Sequence, residues 1–416
     1  MQLTKLTARE VIDSRGNPTL EVEAYAGKVM ESAIVPSGAS TGIYEALELR
    51  DEDDRFHGKG VHKALQNVLY LSKKLKGMDP RRQKDIDNVM LNLDGTAKKT
   101  NLGANTILAV SMAIARLGAR LKNQSLHKHL ASIYKPKKTY LPVPFCNIIN
   151  GGRHAGNKLA MQEFMIAPIK AKNFADATRM ASETYHTLKK LIENKYGKDA
   201  SAVGDEGGFA PPIEKAEDAL KLITTAVKQS GYEGKIAIAM DPAASEFYDH
   251  NKKRYILHRQ MSAKQLKNYY LRLARTYNII SIEDPFDQDD FDAFRELNEE
   301  AEFQVVGDDL LVTSVDRINI AIENDLCNAL LLKVNQVGSI TEAMAAASLS
   351  VKHKWKVMVS HRSGESEDTF ISDLAVALGC GQIKLGAPCR GERTAKFNQL
   401  LRIEDRLGKS ARLKQF

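Results

Sequence analysis

Apolar and polar positions alternate over residues 19–26, with Leu20, Val22, Ala24 and Ala26 on one side and Thr19, Glu21, Glu23 and Tyr25 on the other. A period of two is that of a half-buried strand. Extended runs at Leu3–Asp13 and Val29–Pro36 flank it, set off by the turn-forming Arg15-Gly16-Asn17-Pro18 and by Gly27. Together they predict an antiparallel meander. From about Gly60 to Leu130 the pattern turns helical. It is clearest over Asn105–Leu121, where Ile107, Leu108, Val110, Met112, Ile114 and Leu117 recur with small residues between them. Strands followed by helices predict an α+β unit.

The polar Lys135-Pro136-Lys137-Lys138 stretch then resembles a linker before Pro142-Val143-Pro144-Phe145 opens a new region. In that region short apolar runs each end in a functional side chain. Ile236–Met240 ends at Asp241, Ile279–Ile282 at Glu283, Val305–Gly307 at Asp308, Leu330–Leu332 at Lys333, and Val357–Ser360 at His361. Consecutive members are roughly 25 to 42 residues apart, room for a strand, a helix and two loops. The chain therefore reads as an α/β protein: an N-terminal α+β capping domain, residues 1–134, and a (β/α)8 barrel, residues 139–416. The C-terminal strand ends of such a barrel converge on one face, where active sites sit.

Composition narrows the function classes. A chain of 416 residues exceeds the usual size of one core, which favours two domains. Met1–Arg9 lacks the apolar stretch of a signal peptide, and no apolar run approaches the ~20 residues that span a bilayer. A cytoplasmic protein without membrane insertion is expected. Cys146, Cys327, Cys380 and Cys389 show no C-x-x-C spacing, which argues for reduced thiols over zinc or a disulfide framework. The net charge of +8 is scattered, with small clusters at Lys135–Lys138 and Lys252–Arg254 and no interleaved aromatic platform. Solvated surface explains it, and nucleic-acid binding has no motif behind it.

One charged strand end marks a solvent boundary as well as it marks a site. A repeated set is different, because three anions brought together repel unless a cation holds them. Asp241, Glu283 and Asp308 form a hard oxygen-donor set suited to Mg2+, with no His or Cys to favour zinc. Lys333 follows on the next strand and serves as a base only if its pKa falls well below ~10.4. The metal and Lys384, closing Gln382-Ile383-Lys384, are the neighbouring cations that would lower it.

Several stretches are similar, in order and context, to the enolase family: Ser281-Ile-Glu-Asp-Pro-Phe, Val306-Gly-Asp-Asp-Leu, Leu332-Lys-Val-Asn-Gln, Ser360-His-Arg-Ser-Gly-Glu and Val203-Gly-Asp-Glu-Gly-Gly. Val35-Pro-Ser-Gly-Ala-Ser-Thr-Gly and Asn398-Gln-Leu-Leu-Arg-Ile-Glu extend the match over nearly the whole chain. The resemblance implies Mg2+-dependent, reversible dehydration of 2-phospho-D-glycerate to phosphoenolpyruvate in glycolysis and gluconeogenesis. It implies that Asp241, Glu283 and Asp308 ligate a first Mg2+, and that Ser40 helps hold a second once substrate binds. Lys333 would take the C2 proton; Glu206, assisted by Glu163, would protonate the leaving 3-hydroxyl. His154, Gln162, His361, Arg362, Ser363 and Lys384 would position the substrate's phosphate, carboxylate and hydroxyl groups. A Lys or His base beside one or two Mg2+ ions is common to the wider enolase superfamily, so that pairing rests on the resemblance.

Glu206 must keep a proton near neutral pH, which a shared site with Glu163 would favour by raising its pKa. Gly38, Gly42, Gly151, Gly152, Gly207 and Gly208 flank the implied loops and suit unusual backbone angles. Asp309 would point away from Asp308 if the strand continued, and it stays outside the metal set. His186 and His258 read as surface or packing residues. Arg153, Gly391 and Phe397 depart from the family pattern and bear on loop dynamics and packing. Two rivals stand beside this reading: another superfamily enzyme abstracting a proton beside a different carboxylate, and a non-catalytic or dual-role binding protein on the same fold. The family also implies a homodimer.

Overall fold

The structure, a computed structural model, describes residues 1–38, 42–414 and 416. Its N-terminal sheet runs β1 (Lys5–Ile12), β2 (Pro18–Ala26) and β3 (Val29–Ile34), antiparallel throughout. Leu20, Val22, Ala24 and Ala26 are all fully buried, as the alternation predicts. Four helices follow: α1 (His62–Leu75), α2 (Gln83–Asp94), α3 (Ala104–Leu121) and α4 (Leu126–Tyr134). Helix α3 is buried almost all round and packs against β2 and β3. That is the expected fate of a helix apolar on every side.

The second region is a closed barrel of β4 (Val143–Asn150), β5 (Glu163–Ala167), β6 (Ala237–Asp241), β10 (Ile279–Glu283), β11 (Gln304–Gly307), β12 (Ala329–Leu332), β13 (Lys356–Ser360) and β14 (Gln382–Lys384). Between β6 and β10 lies a small antiparallel sheet of β7 (Tyr248–Asp249), β8 (Arg254–Ile256) and β9 (Gln260–Met261). The barrel order is β10-β11-β12-β13-β14-β4-β5-β6. Neighbours are parallel except that β5 pairs antiparallel with both β4 and β6. The expected uniform parallel repeat is thus broken at one strand. The helices around it are α5 (Phe174–Tyr196), α6 (Ala216–Gln229), α7 (Ala263–Tyr277), α8 (Phe291–Glu300), α9 (Val315–Glu323), α10 (Val334–Val337), α11 (Ile340–Lys352), α12 (Phe370–Leu378) and α13 (Gly391–Leu407). Among the described residues, no helix is long and apolar enough to cross a membrane.

Local chemistry sets several helix starts. Ser262 and Gln265 close a reciprocal capping box on α7, and Ser314 and Ser339 accept backbone N–H groups opening α9 and α11. The two regions join through buried polar contacts as well as apolar ones. Arg116 of α3 donates to both oxygens of Asp368 at 2.7 Å, and Asp87 of α2 accepts the Thr341 backbone N–H at 3.1 Å. All four cysteines are free, Cys146 and Cys327 being buried.

Candidate active site

Each parallel strand read from the sequence ends at the residue expected, so Asp241, Glu283, Asp308, Lys333, His361 and Lys384 meet on the C-terminal rim of the barrel. Glu163 reaches the same rim by the opposite route. It opens the antiparallel strand β5, and its register partners are Asp241 on β6 and Asn150 on β4. His154 and Gln162 line the cleft from the β4–β5 loop; Glu206 enters from the loop after α5; Arg362 and Ser363 follow His361. Ser40 lies outside the described residues.

The centre of the cleft is a cation among carboxylates. Lys384 Nζ lies 2.9 Å from Asp241 Oδ2, 2.9 Å from both oxygens of Glu283 and 3.1 Å from Glu163 Oε2. Burial disfavours its ammonium, but Asp241, Glu163 and Glu283 outweigh that and push its pKa upward. Lys333 pairs with Asp308 Oδ2, and Gln336 Nε2 donates to Asp308 Oδ1 at 2.8 Å. Burial also works against the Lys333 ammonium, yet Asp308 wins, and its pKa is raised rather than depressed as the sequence reading requires of a base. The reason is local: Asp308 is held ionised by Lys333 and Arg362 despite burial, so the two charges stabilise each other.

The metal set fits a hard cation. Asp241 Oδ2 and both Glu283 oxygens already converge on one positive centre, the Lys384 ammonium. Burial, Asp241 and Asp308 together raise Glu283, the mark of carboxylates crowded at one place. The closest-knit carboxylate groups among the described residues are different ones: His154 with Glu163 and Glu206, and Asp284 with Asp308 and Asp309. Asp284 accepts the backbone N–H of Asp308 at 2.9 Å and of Asp309 at 2.6 Å. Strand β11 stops at Gly307 and the chain turns, so side-chain alternation no longer carries Asp309 away from Asp308. Burial and Asp308 push Asp309 up to about 8.

Glu206 and Glu163 form a coupled pair with a split opposite to that expected. Burial raises Glu206, but His361 and His154 outweigh it and hold the carboxyl well below the usual range; Asn147 Nδ2 also donates to it at 3.0 Å. Glu163 is pushed well above that range by burial and by Glu206. The two carboxyls are thereby pulled apart, Glu163 toward the protonated form and Glu206 toward the ionised one. Burial lowers His154, and lowers His361 to about 4, in each case against the pull of the neighbouring Glu206. Arg393 donates to His361 Nδ1, which places the remaining ring proton on Nε2, 3.5 Å from Glu206 Oε2. Both ring nitrogens of His154 and Gln162 Oε1 are buried without a hydrogen-bond partner among the described residues. Polar atoms orphaned around a cleft are the sign of a polar ligand's seat.

Arg393 is the residue the sequence reading missed. It is fully buried on α13 and donates to the carbonyls of Arg362, Ser363 and Asp205, tying the His361 loop to the Glu206 loop. An arginine within a helical pattern gives no sign of this. Glu45, in the loop after β3, was missed because nothing local marks its partner; it pairs with Arg362 at 3.0 Å across the two regions. The glycines serve close approach more than unusual angles. Gly152 and Gly207 have positive φ, whereas a Cβ on Gly38 would lie 1.9 Å from the Arg362 guanidinium. None of the three departures lines the cleft. Arg153 reaches outward to Glu246 at 2.5 Å, Phe397 is buried, and a Cβ on Gly391 would meet nothing within 4 Å.

A barrel rim that gathers buried carboxylates, two buried lysines and two adjoining carboxyls of opposite proton affinity has the makings of an acid–base enzyme. A family model described as enolase, C-terminal TIM barrel domain, matches residues 138–415, and one described as enolase, N-terminal domain, matches residues 3–130. A curated protein named enolase, from Solanum lycopersicum, is 54% identical over 428 aligned residues, covering 98% of this chain and 96% of that protein. The chain belongs to the enolase family, a family of lyases.

Proposed function

We propose that this cleft carries out the enolase reaction, the reversible dehydration of 2-phospho-D-glycerate to phosphoenolpyruvate, with Lys333 as the base and the Glu163–Glu206 pair as the acid. The observation that carries this reading is the Lys384-centred set of Asp241, Glu283 and Glu163 beside the Lys333–Asp308 pair, with Glu206 next to Glu163. Asp241, Glu283 and Asp308 would hold Mg2+, which would supply positive charge to stabilise the substrate carboxylate as negative charge builds on it. Lys333 takes the proton from C2 as a neutral amine. Its ammonium is favoured chiefly by Asp308, so a cation held by Asp308 would free the amine form.

The electron pair left at C2 forms the C2–C3 double bond as the C3–O bond breaks. The departing hydroxyl leaves as water with a proton from the Glu163–Glu206 pair. That proton passes from Glu163 to Glu206 as the substrate's own charges enter the cleft. His154, Gln162, His361, Arg362, Ser363 and Lys384 hold the anionic groups, and the orphaned nitrogens of His154 suit hydrogen bonds to them. The same reading includes a second Mg2+ held with help from Ser40, a homodimer and a cytoplasmic setting.

Phosphoenolpyruvate formation followed by absorbance tests it. Activity should require Mg2+, vanish with chelator, and fall by about 10²- to 10⁴-fold in Lys333→Ala. A Lys333→Ala protein retaining activity within about threefold would remove Lys333 from the base role.

A further inference from the structure

On the face of the barrel opposite the cleft, the N-terminal ends of four adjacent strands, β10, β11, β12 and β13, open around a cavity of about 610 Å³. That volume is in the range of sites for nucleotide-sized ligands. One side of its wall is apolar, formed by Leu271, Ile279, Phe303 and the ring of Phe416, while Asn278, Gln304 and Asn328 make the rest polar. Its rim is basic: Arg275 in the last turn of α7, Lys354 in the turn before β13 and Lys356 at the start of β13. Among the described residues, none of these three cations has an ion-pair partner, whereas Glu300, an acid of the same lining, is held by Lys267 at 2.7 Å. Glu302 is the remaining acid of the lining, so cations exceed available anions.

Lys356 is placed oddly for a surface lysine. Its ammonium lies 3.9 Å from the centroid of the Phe416 ring, and burial and Lys414 both disfavour its charge. A bound anion relieves both effects, and an apolar wall beside a basic rim matches a ligand with one polar and one ring-bearing end.

We propose that this cavity is a second binding site, for a small organic phosphate carrying a planar ring, of the nucleoside phosphate class. The phosphate meets Arg275, Lys354 and Lys356, and the ring lies against the apolar wall. None of these residues belongs to the cleft at the other end of the barrel, so the site is independent of the catalytic reading.

Trp355, the chain's one tryptophan, is flanked by two of the three cations and reports on the site by its fluorescence. The full chain is titrated with ADP, with adenosine and with inorganic phosphate at low salt, in the absence and presence of saturating 2-phosphoglycerate. ADP should give a saturable change that survives 2-phosphoglycerate and should bind at least about tenfold more tightly than either fragment. Lys356→Gln and Arg275→Gln should each weaken ADP by about tenfold, while phosphoenolpyruvate formation stays at the native rate and shows the variants to be folded. Displacement of ADP by 2-phosphoglycerate, or ADP affinity unchanged in both variants, overturns the site. Inorganic phosphate binding as tightly as ADP overturns the ring-bearing ligand.

Discussion

At the scale of single residues, the coupled acid pair makes the sharpest prediction. If the pair delivers the proton to the leaving hydroxyl, Glu206→Gln should cut dehydration by about 10²- to 10⁴-fold. Exchange of the substrate C2 proton with solvent, followed by NMR in deuterium oxide, should continue because Lys333 is untouched. Loss of exchange in equal proportion would instead assign Glu206 to binding. Arg393 makes a different prediction, one of stability. Its guanidinium is buried and satisfies three carbonyls of two loops, so Arg393→Met leaves those acceptors unpaired in the interior. Urea unfolding should show a loss of about 2–5 kcal/mol. A loss below about 1 kcal/mol would mean that other contacts hold the loops.

At the scale of elements, the contact between α2 and α11 carries a pH dependence of its own. Burial pushes Asp87 up to about 6, against hydrogen bonds from Thr341 and Gln83 that favour the ionised form. A carboxyl raised in the folded state binds its proton more tightly there than in the unfolded chain. Its contribution is therefore fully present below the unfolded pKa of about 3.8 and is lost as pH rises through about 6, a cost of about 3 kcal/mol at neutrality. Asp87→Asn removes that cost, and an amide flip of Gln83, whose Oε1 has no partner among the described residues, accommodates the new side chain. The stability of Asp87→Asn relative to the native chain, from urea unfolding, should therefore rise between pH 4.5 and 7.5. A difference that stays flat with pH would show that Asp87 does not titrate there.

At the scale of the whole molecule, the buried apolar residues from Leu3 to Leu413 form one contiguous cluster across both regions. We propose the division into residues 1–134 and 139–416 as one of architecture and not of independent stability. Calorimetry should then record a single transition; two resolved transitions would make the halves separate folding units. Cation binding acts on this same unit. Mg2+ at about 100 times its dissociation constant should add about 2.7 kcal/mol and raise the melting temperature. Chelator should reverse the gain, and Asp241→Asn should abolish most of it. An unchanged shift in that variant would move the metal to other carboxylates, with Asp284, Asp308 and Asp309 next in line.

The sequence by itself determined the elements and most of the rim. Leu20 to Ala26 and the helical run ending at Leu121 are dictated by local sterics and by which face must leave water, and the structure places both as read. Asp241, Glu283, Asp308, Lys333 and His361 were legible because each closes an apolar run that has to end at a barrel mouth. Closure of the barrel decided the rest, since contacts between distant segments follow from packing and not from any local period. It turned β5 against its neighbours and so brought Glu163 opposite Asp241. It set the Lys384 ammonium among three carboxylates and buried Arg393 between two loops. The direction of each pKa shift belongs to this second group, because charge balance in a buried cleft depends on which groups packing brings within reach of one another.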